Sequence, residues 1–172
     1  MCIRDSNDTL PSVLIKELTK RNETIVFAES CTGGLLSSSL TSISGSSQVF
    51  LGSIVSYSNE LKNSLLNISE DKLNKYGAVS EEVCESMAIN VKEKLVADWG
   101  IAISGIAGPN GGSQDKPVGL VYISISGPNN HITNIKKLFN STRNRIEIQR
   151  LSVNVCLNSL RLILLSLSLI HI

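Results

Sequence analysis

Short runs of β-branched and aromatic residues alternate with segments of helical periodicity along the whole chain, and this alternation restricts the possible folds most. Strands are predicted at 24–28, 49–57, 99–104, 120–126 and 132–139, the last two as a hairpin through 127–130. Helices are predicted over 10–20, from near 32, over 58–66, from 69, from Ser80 and from about 142. We therefore expect an α/β protein, built as a three-layer α/β/α sandwich with a mixed sheet.

Composition narrows the class of protein. The chain has 172 residues and a net charge of +1, which suits one domain and lacks the basic surface of a nucleic-acid binder. Its four cysteines form no CxxC pair, and no unbroken apolar run reaches the roughly 18 residues of a spanning helix. We expect a cytoplasmic protein that binds neither membrane nor nucleic acid.

Both ends resemble translated sequencing adapter. Residues 1–6 (MCIRDS) and 167–172 (LSLIHI) are what the two orientations of a transposase mosaic-end sequence encode. We therefore expect one native domain at 7–166, with its true termini missing. On that interpretation the apolar ending LILLSLSLI is not a membrane anchor, because much of it is adapter.

Three polar, glycine-bearing connections follow predicted strands, at 29–34, 57–62 and 104–119. Ligands bind at such positions in open α/β sheets, so we expect 29–34, 57–62 and 104–112 to converge on one pocket. The long connection contains neither a Walker A motif nor GxGxxG. Its backbone amides would line a pocket, or it is a mobile surface loop.

The first connection places Ser30 on a sharp strand-to-helix turn. There its hydroxyl would lie beside backbone N–H groups that suit a phosphate or a developing oxyanion. The alternative is that Ser30 or Thr32 only caps the helix. Cys31 is a rival nucleophile, or a small buried residue.

A serine nucleophile needs a base. His131 is the single histidine of 7–166 and falls in a predicted turn, which disfavours a Ser-His-Asp triad. One histidine and three scattered cysteines also disfavour a zinc site, so no metal is expected. Lys62, kept neutral by desolvation, is the remaining base, with Tyr57 near the same sheet edge. The alternative for Lys62 is an exposed lysine paired with a carboxylate.

Five blocks together resemble the CinA C-terminal domain, the nicotinamide-nucleotide amidase family of bacteria. They are AESCTGG (28–34), YSNELK (57–62), YGAVS (76–80), SGIAGP (104–109) and KPVG (116–119). Their order and spacing are those of the family, and the remaining strands and the last helix extend the likeness over 7–166.

The resemblance implies hydrolysis of nicotinamide mononucleotide to nicotinate mononucleotide and ammonia, in pyridine-nucleotide salvage, without a cofactor. It assigns the nucleophile to Ser30, the base to Lys62 and a supporting tyrosine to Tyr57. Substrate contacts are expected from Cys31, Thr32, Gly33, Gly34, Ser104, Gly105, Ala107 and Arg143. The family's Gly-Asp-Arg is Ser141-Thr142-Arg143 here, so only the arginine of this expected phosphate site is kept.

Two alternatives to this activity remain open. In the first, the chain is a non-catalytic nucleotide-binding module of a larger protein. In the second, it is a Ser-Lys hydrolase of another small amide. The resemblance also implies a homodimer and fusion to an N-terminal domain in the intact protein.

Overall fold

Strands and helices alternate through residues 8–169, the part of the chain that the computed structural model describes. The strands are β1 (Ile25–Glu29), β2 (Phe50–Val55), β3 (Trp99–Gly105), β4 (Leu120–Ser126) and β5 (Ile132–Leu138). The α-helices are α1 (Leu10–Arg21), α2 (Leu35–Thr41), α3 (Asn59–Leu66), α4 (Glu70–Tyr76), α5 (Glu81–Lys94) and α6 (Arg145–Leu169), and a 3₁₀ turn spans Ser46–Gln48.

The sheet is mixed, with the strand order β2-β1-β3-β4-β5. Strand β1 pairs in parallel with both β2 and β3, whereas β4 is antiparallel to β3 and to β5. The predicted mixed sheet and its hairpin are confirmed. Because β1, β2 and β3 run in the same direction, the connections that follow them all leave from one edge of the sheet.

Alternate strand residues face two separate cores. One face, which includes Phe27 and Ile101, packs against α1, α2 and α6. The opposite face, which includes Val26 and Ala102, packs against α3, α4 and α5. Gly100 allows α5 to approach the sheet closely, because a Cβ there would lie 2.3 Å from the Ala88 carbonyl of α5. The three-layer α/β/α architecture is thus the observed one.

Most helices start after a capping side chain, and two of the starts differ from the predicted positions. Ser80 caps α5 as expected, its hydroxyl accepting from the Val83 amide. Helix α2 begins at Leu35 rather than near 32, because Gly33 and Gly34 have φ angles of +59° and +101°. Helix α6 begins at Arg145 rather than near 142.

Helix α6 is long and apolar enough to cross a membrane. The sequence did not predict this, because polar residues interrupt its apolar run. Packing explains part of its apolar character, because Ile148, Val153, Leu157, Leu160 and Leu164 lie in the core with α1 and the sheet. A core helix of a soluble protein passes the same test of length and composition. Residues 1–6 and 170–172, where most of the expected adapter falls, lie outside the described residues, and α6 continues to Leu169.

Candidate active site

A cleft of about 230 Å³ opens at the edge of the sheet where β1 and β3 end. The three predicted connections meet there. Of the expected site residues, the lining includes Ser30, Cys31, Tyr57, Lys62, Ser104, Gly105 and Ala107.

The Ser30 hydroxyl lies 3.1 Å from the Lys62 ammonium nitrogen, within hydrogen-bonding distance. Ser30 is the residue that follows β1, and its amide donates to the Ile103 carbonyl of β3. Lys62 projects from α3, whose start is capped by Ser58. The candidate nucleophile and the candidate base, on separate elements, are therefore in direct contact.

Lys62 is 1% exposed, so the alternative of a solvated surface lysine is wrong. Besides Ser30, its nitrogen contacts the carbonyl oxygens of Ser56, at 2.7 Å, and Tyr57, at 3.3 Å. Desolvation by burial lowers the pKa of Lys62, because a charged ammonium loses its hydration there. Lys62 forms no ion pair with any residue of the described chain that would restore the charged form.

A neutral amine fits these three neighbours well. Its two hydrogens donate to the Ser56 and Tyr57 carbonyls, and its lone pair then points to the remaining neighbour, the Ser30 hydroxyl. The hydroxyl can donate its proton along that contact. This arrangement is the one that general-base activation of a serine requires.

Burial affects the neighbouring thiol in the opposite sense. It raises the pKa of Cys31 to about 12, chiefly through desolvation. A thiol with that pKa stays protonated near neutral pH and is a poor nucleophile. Of the two candidate nucleophiles, Ser30 is favoured, because it contacts Lys62 and the Cys31 thiol stays protonated.

Two groups expected to bind substrate, the Thr32 hydroxyl and the Gly34 amide, are instead bound to Glu29. This carboxylate, 0% exposed, accepts from the Thr32 hydroxyl and from the amides of Gly34, Leu36 and Ser37. The Gly33 amide donates to the Ser30 carbonyl. Thr32, Gly33 and Gly34 do not line the cleft, so the structure does not bring these three expected contacts to the site. Their donors are used within the chain, by Glu29 and by the Ser30 carbonyl.

The arginine beside the cleft is Arg145, not Arg143. Arg143 is exposed and absent from the lining. Arg145, in the first turn of α6, donates to the Gly108 carbonyl at 2.9 Å and to the Tyr57 hydroxyl at 2.8 Å. No carboxylate of residues 8–169 forms an ion pair with it. Sequence reasoning missed Arg145 because it started α6 near 142 and overlooked a local signal. The Asn144 side chain accepts from the Glu147 amide while the Glu147 carboxylate accepts from the Asn144 amide, a capping box that begins the helix at Arg145.

Tyr57 contacts Lys62 through its backbone rather than through its ring. Its carbonyl accepts from Lys62, whereas its hydroxyl accepts from Arg145 and the side chain is 58% exposed. Tyr57 therefore connects Lys62 to Arg145.

The connection after β3 is anchored at both ends. The Ser104 hydroxyl donates to the Ala78 carbonyl, and Lys116 donates to the Tyr76 carbonyl. Between these anchors residues 109–115 are exposed. Residues 105–108, Asn110 and Gly111 line the cleft, as expected of this connection, and 112–115 fit the alternative of a surface loop.

His131 lies far from Ser30. Its ring packs 6.2 Å from that of Trp99, at the start of β3, whereas the cleft lies where β3 ends. A strand of this length separates its ends by roughly 20 Å. The described residues hold no cluster of histidine, cysteine and acidic side chains that would bind a metal.

Comparison with known proteins identifies the family of this chain. The sequence profile of the CinA C-terminal domain matches residues 7–164. The chain belongs to this family. A CinA-like protein of Prochlorococcus marinus is 90% identical over 162 residues, which cover 94% of this chain and 38% of the relative. The chain therefore spans well under half the length of that CinA-like relative.

Solved CinA-family structures share the fold. The crystal structure of a competence/damage-inducible protein from Agrobacterium tumefaciens has a TM-score of 0.86 at 35% identity, covering 88% of this chain and 91% of that one. A competence-damaged superfamily protein from Escherichia coli has a TM-score of 0.84 at 29% identity, with coverage of 93% and 91%. The α/β assignment rests on these matches as well as on the sheet itself.

Proposed function

We propose that this CinA domain is a cytoplasmic amidase that hydrolyses nicotinamide mononucleotide to nicotinate mononucleotide and ammonia. The observation that carries the proposal is the buried contact between Ser30 and Lys62, 3.1 Å apart. The resemblance of the five sequence blocks to the nicotinamide-nucleotide amidases supplies the substrate.

The reaction follows from the protonation state of the base. Neutral Lys62 takes the proton of the Ser30 hydroxyl as its oxygen attacks the carboxamide carbon. The tetrahedral intermediate collapses when the lysine ammonium gives that proton to the departing nitrogen, which leaves as ammonia. An ester between Ser30 and the nicotinate carbonyl remains. Lys62 then takes a proton from water, hydroxide attacks the ester, and the proton returns to Ser30.

Two further elements support binding. The amides of Cys31 and Ala107 border the cleft and donate to no other residue of the described chain, so they are available to the oxyanion. Arg145 supplies a positive charge without a carboxylate partner, which suits the 5′-phosphate. The pyridinium of the substrate is a cation and would lower the pKa of Lys62 further.

Ammonia release from nicotinamide mononucleotide tests the proposal directly. We expect turnover by the protein and none above background by Ser30→Ala, with Cys31→Ala as the matched control in the adjacent position. Near-normal turnover by Ser30→Ala together with an inactive Cys31→Ala would assign the nucleophile to the thiol and overturn the mechanism.

The dyad is equally compatible with another small amide, because neither Ser30 nor Lys62 reads the rest of the substrate. A panel of small amides assayed beside nicotinamide mononucleotide separates the two possibilities. If the protein binds the nucleotide without hydrolysing any amide, it is the non-catalytic module, and the intact Ser30–Lys62 contact would be structural.

A further inference from the structure

Glu29 is a fully buried carboxylate in an unusual environment. It is the last residue of β1, directly before Ser30, and it is 0% exposed. Neither lysine nor arginine within residues 8–169 forms an ion pair with it. A buried charge without a counter-ion requires dense hydrogen bonding, since its desolvation is costly.

Five donors meet that requirement, all of them from the turn and helix that follow Ser30. One carboxylate oxygen accepts from the Thr32 hydroxyl at 2.7 Å and from the Gly34 and Leu36 amides at 3.0 Å. The other accepts from the Ser37 amide at 2.9 Å and from its hydroxyl. The carboxylate occupies the place at the start of a helix where other proteins hold a ligand's phosphate.

The same bonds fix the path of the chain around Ser30. On one side the Ser30 amide is held by β3, through the Ile103 carbonyl. On the other side the turn through Gly33 and Gly34 is wrapped around the carboxylate of Glu29. The position of the Ser30 hydroxyl opposite Lys62 therefore depends on both attachments.

We infer that Glu29 is a positioning residue for the Ser30 nucleophile, an internal anion that holds the turn in its reactive geometry. The inference rests on the proposed Ser30–Lys62 mechanism. Glu29 does not line the cleft, so it acts through the turn and contacts neither substrate nor base. It also excludes the substrate's phosphate from the start of α2.

Glu29→Gln tests the inference because it keeps the size of the side chain and removes its charge. In either orientation the amide NH₂ of glutamine faces at least one backbone N–H that the carboxylate now accepts from. Reactivity is measured as the rate at which a fluorophosphonate labels Ser30, with kcat and KM for nicotinamide mononucleotide and thermal unfolding measured alongside. We expect labelling and kcat to fall by about 10- to 100-fold at nearly unchanged KM.

The conservative and matched variants separate positioning from mere stability. Glu29→Asp keeps the charge and should recover part of the labelling rate. Ser37→Ala removes one donor to the carboxylate and should lower the rate less than Glu29→Gln. Ser39→Ala makes the same change on the same helix at a hydroxyl that bonds to the Leu36 carbonyl instead, and should label at the normal rate.

The outcomes are distinct. If Glu29→Gln is folded and labels at the normal rate, Glu29 does not position Ser30. If it fails to fold, normal labelling by folded Ser37→Ala overturns the inference, and slower labelling at unchanged KM supports it. Labelling of the unaltered protein without ammonia release refutes only the substrate, so the labelling rates of the variants still decide on Glu29. If Ser30 of the unaltered protein is not labelled, the mechanism and the inference fail together.

Discussion

The turn after β1 and the connection after β3 leave the same edge of the sheet, are both rich in glycine, and are built in opposite ways. In residues 33–37 the backbone donors are used within the chain, by Glu29 and by the carbonyls of Ser30 and Thr32. In residues 105–119 the backbone from 105 to 108 borders the cleft near Arg145, and Gly111 of the exposed stretch 109–115 lines it as well. The first region is therefore suited to hold a nucleophile still, and the second to receive a substrate.

Glycine content at the end of a strand therefore does not by itself identify a ligand site. Gly34 lies in a turn closed around a carboxylate, whereas Gly108 and Gly111 line the cleft. What distinguishes them is whether the chain supplies its own acceptor. The comparison predicts that changes near Ser30 affect kcat and that changes around the β3 connection affect KM.

The largest effect is expected at Lys62. Lys62→Ala should reduce kcat by about 10²- to 10⁴-fold, the contribution of a general base. Lys62→Arg should fail equally, because guanidinium does not release its proton near neutral pH. The double variant with Ser30→Ala should be hardly worse than either single one, because the two residues act as a unit. Steady-state ammonia assays of the three single variants and the double variant measure these losses. If the losses of activity in Lys62→Ala and Ser30→Ala add up in the double variant, the two residues do not act as a unit.

The pH dependence of the same reaction reports the protonation of Lys62. Its neutral form is the base, so kcat/KM should rise with pH through the pKa of Lys62. Burial lowers that pKa, so the midpoint should lie below the ordinary lysine value of about 10.4. A pH–rate profile measures the midpoint, and one at or above the ordinary value would contradict a desolvated base.

The next largest effect is expected at Arg145. Arg145→Ala should raise KM for nicotinamide mononucleotide by about 10- to 100-fold, the usual value of a hydrogen-bonded charge, with a small change in kcat. Arg143→Ala, the matched control at an exposed arginine two residues away, should leave KM unchanged. If Arg143→Ala raises KM and Arg145→Ala does not, or if Arg145→Ala lowers kcat alone, the assignment of substrate binding to the region around Arg145 is contradicted.

A smaller effect is expected from alanine at two glycines of positive φ, one in each region. At Gly34 (+101°) and Gly111 (+89°) the methyl group of an alanine would meet no neighbouring atom closer than 3.9 Å, so backbone strain is the main cost. Each variant should lose about 1–2 kcal/mol of stability, measured by urea unfolding. Gly34→Ala should also lower kcat, whereas Gly111→Ala should raise KM. Because the two variants carry similar backbone strain, this difference in kinetics would reflect the different roles of the two regions.

The smallest effect is expected at Cys31. Its thiol lines the cleft beside the nucleophile, but a pKa of about 12 keeps it protonated throughout the working range. Cys31→Ala should therefore keep kcat within about 2-fold and the pH profile unchanged, because the replaced group carries no charge there. Loss of most activity in this variant would require another assignment of the nucleophile.

The sequence predicted the order of the elements and the meeting of three connections because these depend on local pattern and strand direction. Ser80 is an example, since the hydroxyl and the acids behind it are enough to place the start of α5. Glu29 and Arg145 were missed because periodicity does not show which donors a carboxylate meets in a turn or which residue of a helix borders a cleft. The one available signal for Glu29 was a carboxylate that ends an apolar strand shortly before Thr-Gly-Gly.

The hairpin between β4 and β5 offers a practical use for the antiparallel half of the sheet. Because β4 runs opposite to β3, its last residue Ser126 pairs with Gly100, at the end of the sheet remote from the cleft. The turn that follows contains Asn129 and Asn130 at φ angles of +54° and +57°, both exposed. A fluorophore, an affinity tag or a surface linker attached at Asn129 or Asn130 would report on the protein or immobilise it while leaving substrate access open.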